Sequence, residues 1–156
     1  MLCIVRAATR LGIKHFRLTG GEPLLHPQLD EMVLQIKKIP GVSSVSLTTN
    51  AVLLAQHAKW LKEAGIDSIN VSLDTIDASE YERITKKPLL EEVKHGINAA
   101  IECGIRVKIN VVLTPQTDVV ALTRYVAKKG TDIRFIEMMP LSLIHISEPT
   151  RPLYIS

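Results

Sequence analysis

RLTGGEP, at residues 17–23, is the stretch from which the fold can be worked out. It follows a short apolar run at residues 14–18 and precedes an amphipathic segment at about 28–38, which predicts a loop between a strand and a helix. Its two glycines allow a positive φ and let a ligand approach the main chain closely. Glu22 adds a carboxylate that can accept hydrogen bonds, for example from the ammonium group of an amino-acid-like ligand. A pair of glycines alone is more often a plain tight turn. Whether this one is a ligand-binding loop depends on the pattern in the rest of the chain.

The composition is that of a single globular domain with a small net charge. The chain has 156 residues, of which 46% are hydrophobic and 22% charged, and its net charge is +3, from 19 basic and 16 acidic residues. That excess is too small to indicate nucleic-acid binding. No apolar run is long enough to span a membrane, and the first dozen residues lack the continuous apolar region of a signal peptide. We therefore expect a cytoplasmic protein that binds neither nucleic acid nor membrane.

Short runs rich in valine and isoleucine alternate with helical segments along the chain. Strands are predicted at about residues 14–18, 44–47, 68–73, 106–113 and 132–138. Each is preceded by a glycine that ends a helix, at Gly12, Gly41, Gly65, Gly104 and Gly130. This rhythm predicts an α/β fold of five parallel strands with right-handed helical crossovers. An open doubly wound sheet and a partial barrel both satisfy it.

Two local predictions follow from helical spacing and capping. Ile4, Ala7, Ala8 and Leu11 share one face of the first helix, which we take as its apolar face. Asp77 is placed to cap a short helix, with Glu80 three residues later as its capping-box partner.

Polar side chains gather at the predicted carboxyl ends of all five strands, where both candidate architectures bind ligands. They are Arg17 with Thr19–Glu22, Thr48–Asn50, then Asn70, Ser72 and Asp74, then Lys108 and Asn110, and finally Arg134, Glu137 and Met139. A sheet that is only structural does not need them. Arginine and lysine at Arg17 and Lys108 suit an anionic substrate, because arginine can bind phosphate with two hydrogen bonds and lysine acts as a point charge.

Five sequence runs in this order resemble the radical S-adenosylmethionine family, and within it the GTP 3′,8-cyclases of molybdenum cofactor biosynthesis. They are RLTGGEP at 17–23, LTTN at 47–50, NVSLD at 70–74, VKINV at 107–111 and RFIEMMP at 134–140. The resemblance covers residues 1–140 and implies a partial (βα) barrel as the fold. It also implies reductive cleavage of S-adenosylmethionine to a 5′-deoxyadenosyl radical that abstracts hydrogen from the GTP ribose and starts cyclisation to a pterin precursor.

The resemblance implies roles for single residues. Gly21 would contact S-adenosylmethionine with Glu22 beside its amino group, and Ser72 would hold the same cofactor. Met139 would pack near the adenine. Arg17, Thr48 and Lys108 would bind GTP, the two cations on the triphosphate side. The resemblance allows that the whole enzyme is a homodimer.

The departures from the family indicate an internal fragment. The family's Cys-x3-Cys-x2-Cys loop, which holds a 4Fe–4S cluster, would lie before residue 1, and the barrel's first strand and the C-terminal part are also expected to be missing. Cys3 and Cys103 supply no cluster ligands, since they lie far apart and clusters need several thiolates. The family usually has glycine where this chain has Ala51. Residues 141–156 continue no βα pattern and are interpreted as an irregular tail that is not native to the family.

Two alternatives stay open at this stage. Another radical S-adenosylmethionine enzyme, such as one that modifies peptides, would keep the glycine loop without needing the two cations for a triphosphate. A non-radical βα-barrel protein that binds phosphate, or an aldolase-like enzyme, could use Lys108 to form a Schiff base.

Overall fold

The computed structural model describes residues 1–138, which form a single five-stranded sheet covered by helices. The strands are β1 (His15–Leu18), β2 (Ser44–Thr49), β3 (Ser68–Ser72), β4 (Arg106–Leu113) and β5 (Asp132–Glu137). The helices are α1 (Leu2–Arg10), α2 (Leu29–Lys37), α3 (Leu54–Glu63), α4 (Ala78–Thr85), α5 (Leu90–Glu102) and α6 (Val119–Lys129). A short 3-10 turn, Pro23–Leu25, follows the glycine loop. Every predicted strand is confirmed to within two residues at each end.

All four strand pairings are parallel, and the strands lie in chain order from β1 to β5. The predicted α/β fold is therefore confirmed. Within residues 1–138 the sheet is open, because β1 and β5 form its two edges and do not pair with each other. No helix in this part of the chain is long and apolar enough to cross a membrane.

One face of the sheet carries the hydrophobic core. Alternate residues of the strands, including Val45, Leu47, Ile69, Val71, Ile109 and Val111, are fully buried against the helices. The helices contribute Val33 and Ile36, Leu54 and Leu61, and Ile97. Because side chains alternate between the two faces of a strand, the residues between these positions must point away from the helices. Those intervening positions form the other face.

The first helix does not bury the face that its sequence predicted. Ile4 and Leu11 are 72% and 83% exposed, whereas Val5 is the residue of α1 that is buried. The prediction was wrong because it counted the widest apolar stripe, and Val5 lies to one side of that stripe. Because α1 packs against α2, the face of α1 that is buried depends on this contact. The spacing of apolar residues within α1 cannot predict it.

The predicted cap of α4 is half right. Asp77 is the N-cap, and its carboxylate accepts from the Glu80 amide at 2.8 Å. Glu80 does not complete a capping box, because its carboxylate binds Arg83 and the Asp77 amide donates to Thr75 Oγ1 at 3.1 Å. A capping-box pattern at the end of a sequence motif does not exclude a stronger competing partner such as an arginine one turn later.

Candidate functional site

The face of the sheet that turns away from the helices is lined almost entirely by polar residues, and we call it the polar face. Strand register arranges these residues in three neighbouring rows. The rows are Arg17, Ser46, Ser68 and Arg106; then Thr48, Asn70, Lys108 and Asp132; then Ser72, Asn110 and Arg134. The register thus brings Thr48 and Lys108, predicted from the sequence as site residues, into a single row, with Arg17 one row below them and Ser72 one row above.

Positive charge dominates the polar face. Its strand residues include four cations, Arg17, Arg106, Lys108 and Arg134, and a single carboxylate, Asp132. Lys108 Nζ lies 3.8 Å from Asp132 Oδ2, which is an ion pair without a close hydrogen bond. Among residues 1–138, the hydrogen bond that the Arg17 side chain makes is a long one, from Nε to Ser46 Oγ at 3.5 Å. An excess of loosely held cations on one surface suits an anionic ligand.

Two asparagines lie among these cations. Asn70 stands between Thr48 and Lys108, is only 4% exposed, and donates from Nδ2 to the Leu47 carbonyl at 3.3 Å. Asn110 stands beside Ser72, and its Oδ1 is buried without a hydrogen-bond partner among the described residues. A buried polar atom of this kind is unfavourable unless something satisfies it. A donor on a bound ligand would do so.

The glycine loop leaves its backbone open to a ligand. A Cβ atom built on Gly20 or Gly21 would meet no atom of the described residues within 4 Å, apart from its neighbours in the chain, so these residues leave space above the main chain. Only Gly20 uses a positive φ, of 124°, whereas both glycines were expected to bend the chain in this way. Ser72, at the end of β3, is exposed and can present its hydroxyl. These exposed groups fit S-adenosylmethionine, whose amino-acid portion both donates and accepts hydrogen bonds.

Glu22 accepts three hydrogen bonds within the chain, a role that the sequence did not reveal, and its place beside the amino group of the cofactor stays a prediction. Its Oε1 accepts from Thr49 Oγ1 at 2.6 Å and from the Leu24 amide at 3.1 Å, and its Oε2 accepts from the Asn50 amide at 2.8 Å. Sequence reasoning missed this role because the partners lie 27 and 28 residues further along the chain. The acidic residue and the Thr-Thr-Asn run were visible as separate signals, but only the β1–β2 pairing joins them.

Met139 lies outside the described residues. Asp132 was missed as the partner of Lys108, since it stands at the beginning of β5 and not at its end. The register brings the beginning of β5 beside the middle of β4, and a search of the carboxyl ends of the strands could not find it.

The residues present do not fit an iron–sulfur cluster. Between residues 1 and 138, no three histidine, cysteine or acidic side chains come together as they would around a metal ion. Cys3 is exposed on α1, and Cys103 is half-buried directly after α5. Cys103 directly precedes β4, which places it at the opposite end of the sheet from the glycine loop. Cys3 lies near the beginning of α1, where Met1 and Leu2 line a cavity with the beginning of α2, so the two cysteines lie towards different ends of the sheet. No step of the chemistry is therefore assigned to a cluster held by this chain.

Comparison with known proteins identifies the family. The model of the radical SAM superfamily matches residues 2–122. The GTP 3′,8-cyclase of Pelotomaculum thermopropionicum is 43% identical over 142 residues, which is 88% of this chain and 44% of the relative. That of Mycobacterium marinum is 46% identical over 143 residues, 89% of this chain and 40% of the relative. The chain thus spans less than half the length of the curated relatives it matches.

Solved structures agree on the fold. The structure of Streptococcus suis SuiB bound to S-adenosylmethionine has a TM-score of 0.74 at 19% identity and covers 88% of this chain and 33% of that one. Methylornithine synthase gives 0.67 at 15% identity, covering 87% of this chain and 43% of that one. The sequence match over most of the chain and the shared fold lead to one conclusion: this chain belongs to the radical SAM superfamily.

Proposed function

We propose that the chain is part of a GTP 3′,8-cyclase, an enzyme that uses S-adenosylmethionine and a 4Fe–4S cluster to convert GTP into a cyclic pterin precursor in molybdenum cofactor biosynthesis. The observation that carries the proposal is the polar face, with Arg17, Thr48 and Lys108 on neighbouring rows. Relatives that are 43–46% identical to this chain over the matched 142 or 143 residues bear that enzyme's name. The chain as given is proposed to be inactive.

The spacing of the two cations supports an elongated anion as the substrate. Arg17 is on β1 and Lys108 is on β4, with two strands between them. Neighbouring strands lie about 4.8 Å apart, so the two backbones are roughly 14 Å apart. A single phosphate could contact both only if the two long side chains extended towards each other. A triphosphate with its nucleoside can extend between them, with Thr48 and Asn70 along its path.

Each residue of the site has a proposed part in binding. The arginine fork and the lysine point charge hold phosphate oxygens, and the Thr48 hydroxyl and the amide of Asn110 offer hydrogen bonds to the nucleoside. The open backbone at Gly21 and the Ser72 hydroxyl hold S-adenosylmethionine. When it is bound and reductively cleaved, that cofactor supplies the radical that begins the reaction. The chain's own contribution is to orient the two ligands and keep water away from them.

Binding measurements test the proposal. Calorimetric titration of the chain with GTP should give weaker binding after Arg17→Ala or Lys108→Ala, by about 10- to 100-fold, since each removes a contact worth about 1.5–3 kcal/mol. S-adenosylmethionine binding should change less. Arg10→Ala at the end of α1 and Lys59→Ala on α3 are matched controls, because these exposed cations lie on helices. An unchanged affinity for GTP, or equal loss for both ligands, contradicts the proposal.

A chemical test separates the aldolase-like alternative. If Lys108 formed a Schiff base, borohydride would trap a carbonyl substrate on it, and a lysine that only anchors phosphate would not be trapped. We expect no adduct at Lys108. A cytoplasmic location and a homodimeric whole enzyme stay predictions.

A further inference from the structure

The end of the glycine loop, at Glu22, is hydrogen-bonded to the end of β2. The proposed function gives this connection no role. Glu22, Leu24, Thr49, Asn50 and Ala51 form one hydrogen-bonded set, which we call the loop clamp. It joins the loop after β1 to the end of β2 through the bonds from Leu24, Thr49 and Asn50 to the Glu22 carboxylate. Together these bonds use three of the roughly four acceptor sites of a carboxylate.

Thr49 is the centre of the loop clamp. Its hydroxyl donates to Glu22 Oε1 at 2.6 Å and accepts from the Ala51 amide at 3.0 Å. A hydroxyl has one proton to donate, so its donor is fully used. The residue is only 3% exposed and lies on the helix side of β2, while Thr48 lies on the polar face. Thr49 therefore cannot touch a ligand on the polar face and acts through its neighbours.

The clamp holds a backbone that would otherwise relax. Ala51 has a φ of 64°, in the left-handed region that an alanine adopts unfavourably. Its methyl group is fully buried, and its carbonyl oxygen lies where a Cβ on Gly96 would clash, so α5 packs directly under this turn. The bond from Ala51 N to Thr49 thus acts together with the packing of α5 to keep the turn in place. Strained turns persist where their surroundings hold them, and they gather at functional sites.

We propose that Thr49 is a positioning residue, and that its bond to Glu22 fixes Gly21 and Thr48 relative to each other. Gly21 and Thr48 each adjoin a member of the clamp in the chain. The proposal rests on the proposed function, in which one of them contacts the cofactor and the other the nucleotide. It also gives Glu22 a different task from binding the cofactor's ammonium group directly. Rigid support of this kind is what keeps a binding geometry productive.

Hydrogen exchange of the ligand-free chain, followed residue by residue by NMR, tests the clamp. Thr49→Val removes both hydrogen bonds of the Thr49 hydroxyl and keeps the shape of the side chain. Glu22→Gln removes the charge of the group that accepts the bond from Thr49. Both should speed exchange of the Asn50 and Ala51 amides about tenfold or more, as expected when a bond to a charged group is lost. Thr49→Ser, which keeps the hydroxyl, should restore the slow exchange.

Two comparisons make the exchange result specific. Thr123→Val removes a hydroxyl that bonds the Val119 carbonyl on exposed α6, and it should leave the Asn50 and Ala51 amides unchanged. The Ile109 amide in β4, an inner strand paired on both sides, should exchange as slowly in Thr49→Val as in the original chain. Unchanged exchange at Asn50 and Ala51 would overturn the proposal. So would equal acceleration at Ile109, since that would mean only a general loss of stability.

Ligand binding then separates positioning from direct contact. S-adenosylmethionine carries an ammonium group, and 5′-methylthioadenosine shares its adenosine portion but lacks that group. If Thr49 and Glu22 act as a clamp that positions Gly21, Thr49→Val and Glu22→Gln should each weaken S-adenosylmethionine by a similar factor, about three- to tenfold, and change 5′-methylthioadenosine less. If Glu22 binds the ammonium group, only Glu22→Gln should act, and only on S-adenosylmethionine. Should the unchanged chain bind neither ligand, the proposed function loses support, and the exchange result still decides on the clamp.

Discussion

Lys108 Nζ lies 3.8 Å from Asp132 Oδ2, across the β4–β5 pair on the polar face. The side chains are 32% and 60% exposed, so water screens the pair and the lysine keeps most of its capacity to bind another anion. The Lys108–Asp132 pair therefore affects how strongly Lys108 can attract a phosphate at the proposed triphosphate site. In the proposed site, Asp132 would compete with a bound phosphate for Lys108.

Removing that competition should strengthen GTP binding. For Asp132→Asn we expect an affinity higher by up to about fivefold, because an exposed pair of this kind is worth about 0.2–1 kcal/mol. Calorimetry at low and high salt checks it, and the gain should shrink as salt screens the charges. Glu63→Gln, an exposed carboxylate at the end of α3, is the matched control. Weaker binding in Asp132→Asn would mean that the carboxylate contacts the ligand or fixes the lysine.

Iron and sulfide should not assemble a cluster on this chain. Anaerobic reconstitution is expected to give no stoichiometric 4Fe–4S signal by absorbance or electron paramagnetic resonance, and no 5′-deoxyadenosine with dithionite, because Cys3 and Cys103 cannot surround a metal together. Replacing both cysteines with serine should leave any residual iron unchanged. A stoichiometric cluster that the double substitution abolishes would contradict the assignment of the ligands.

The close approach of α5 to the turn at Ala51 depends on Gly96. In Gly96→Ala the new Cβ would clash with the Ala51 carbonyl oxygen and lie 2.9 Å from Leu54 Cβ. Overpacking of this kind costs about 1–3 kcal/mol, against which alanine's better helix propensity offsets up to about 1 kcal/mol. Urea denaturation should therefore give a lower free energy of unfolding for Gly96→Ala than for the original chain. Asn98→Ala, also on α5, is the control for helix propensity, and a Gly96→Ala chain as stable as that control would mean that α5 can shift.

Mild acid should destabilise the fold through His57. Burial lowers the pKa of this imidazole, with Asp30 opposing the shift, and its Nδ1 has no partner within residues 1–138. Because the folded state holds the proton less tightly than the unfolded state, this contribution is complete above the ordinary pKa of about 6.5 and is lost as the pH falls through the lowered pKa.

A matched variant isolates that effect from other titrating groups. His57→Phe keeps a ring beside Trp60, against which His57 packs edge to face at 4.8 Å between centroids. Between pH 7.5 and 5, the free energy of unfolding should fall more steeply in the original chain than in the variant. If the free energy of unfolding fell equally in both chains, His57 would not be the cause of the pH dependence.

Local signals in the sequence were enough to predict the elements of this fold. Gly104 and Gly130 follow the last turns of α5 and α6 with positive φ, and the three inner strands β2, β3 and β4 carry buried core residues. Arg17, Thr48 and Lys108 were found because polar residues interrupt apolar strands. What the sequence could not supply was register: the Lys108–Asp132 pair and the Glu22–Thr49 bond each join residues more than 20 positions apart. Their existence depends on which strands pair and at which offset.

The most direct test of the proposed function is an NMR titration of the isotope-labelled chain with GTP, with every backbone amide assigned. The account predicts saturable shifts centred on Arg17, Thr48 and Lys108 and their row neighbours on the polar face, with the outer surfaces of α1 and α2 unaffected. Arg17→Ala and Lys108→Ala should each reduce the response. Shifts confined to the helices, or no saturable response on the polar face, would contradict the assignment of that face as the nucleotide site.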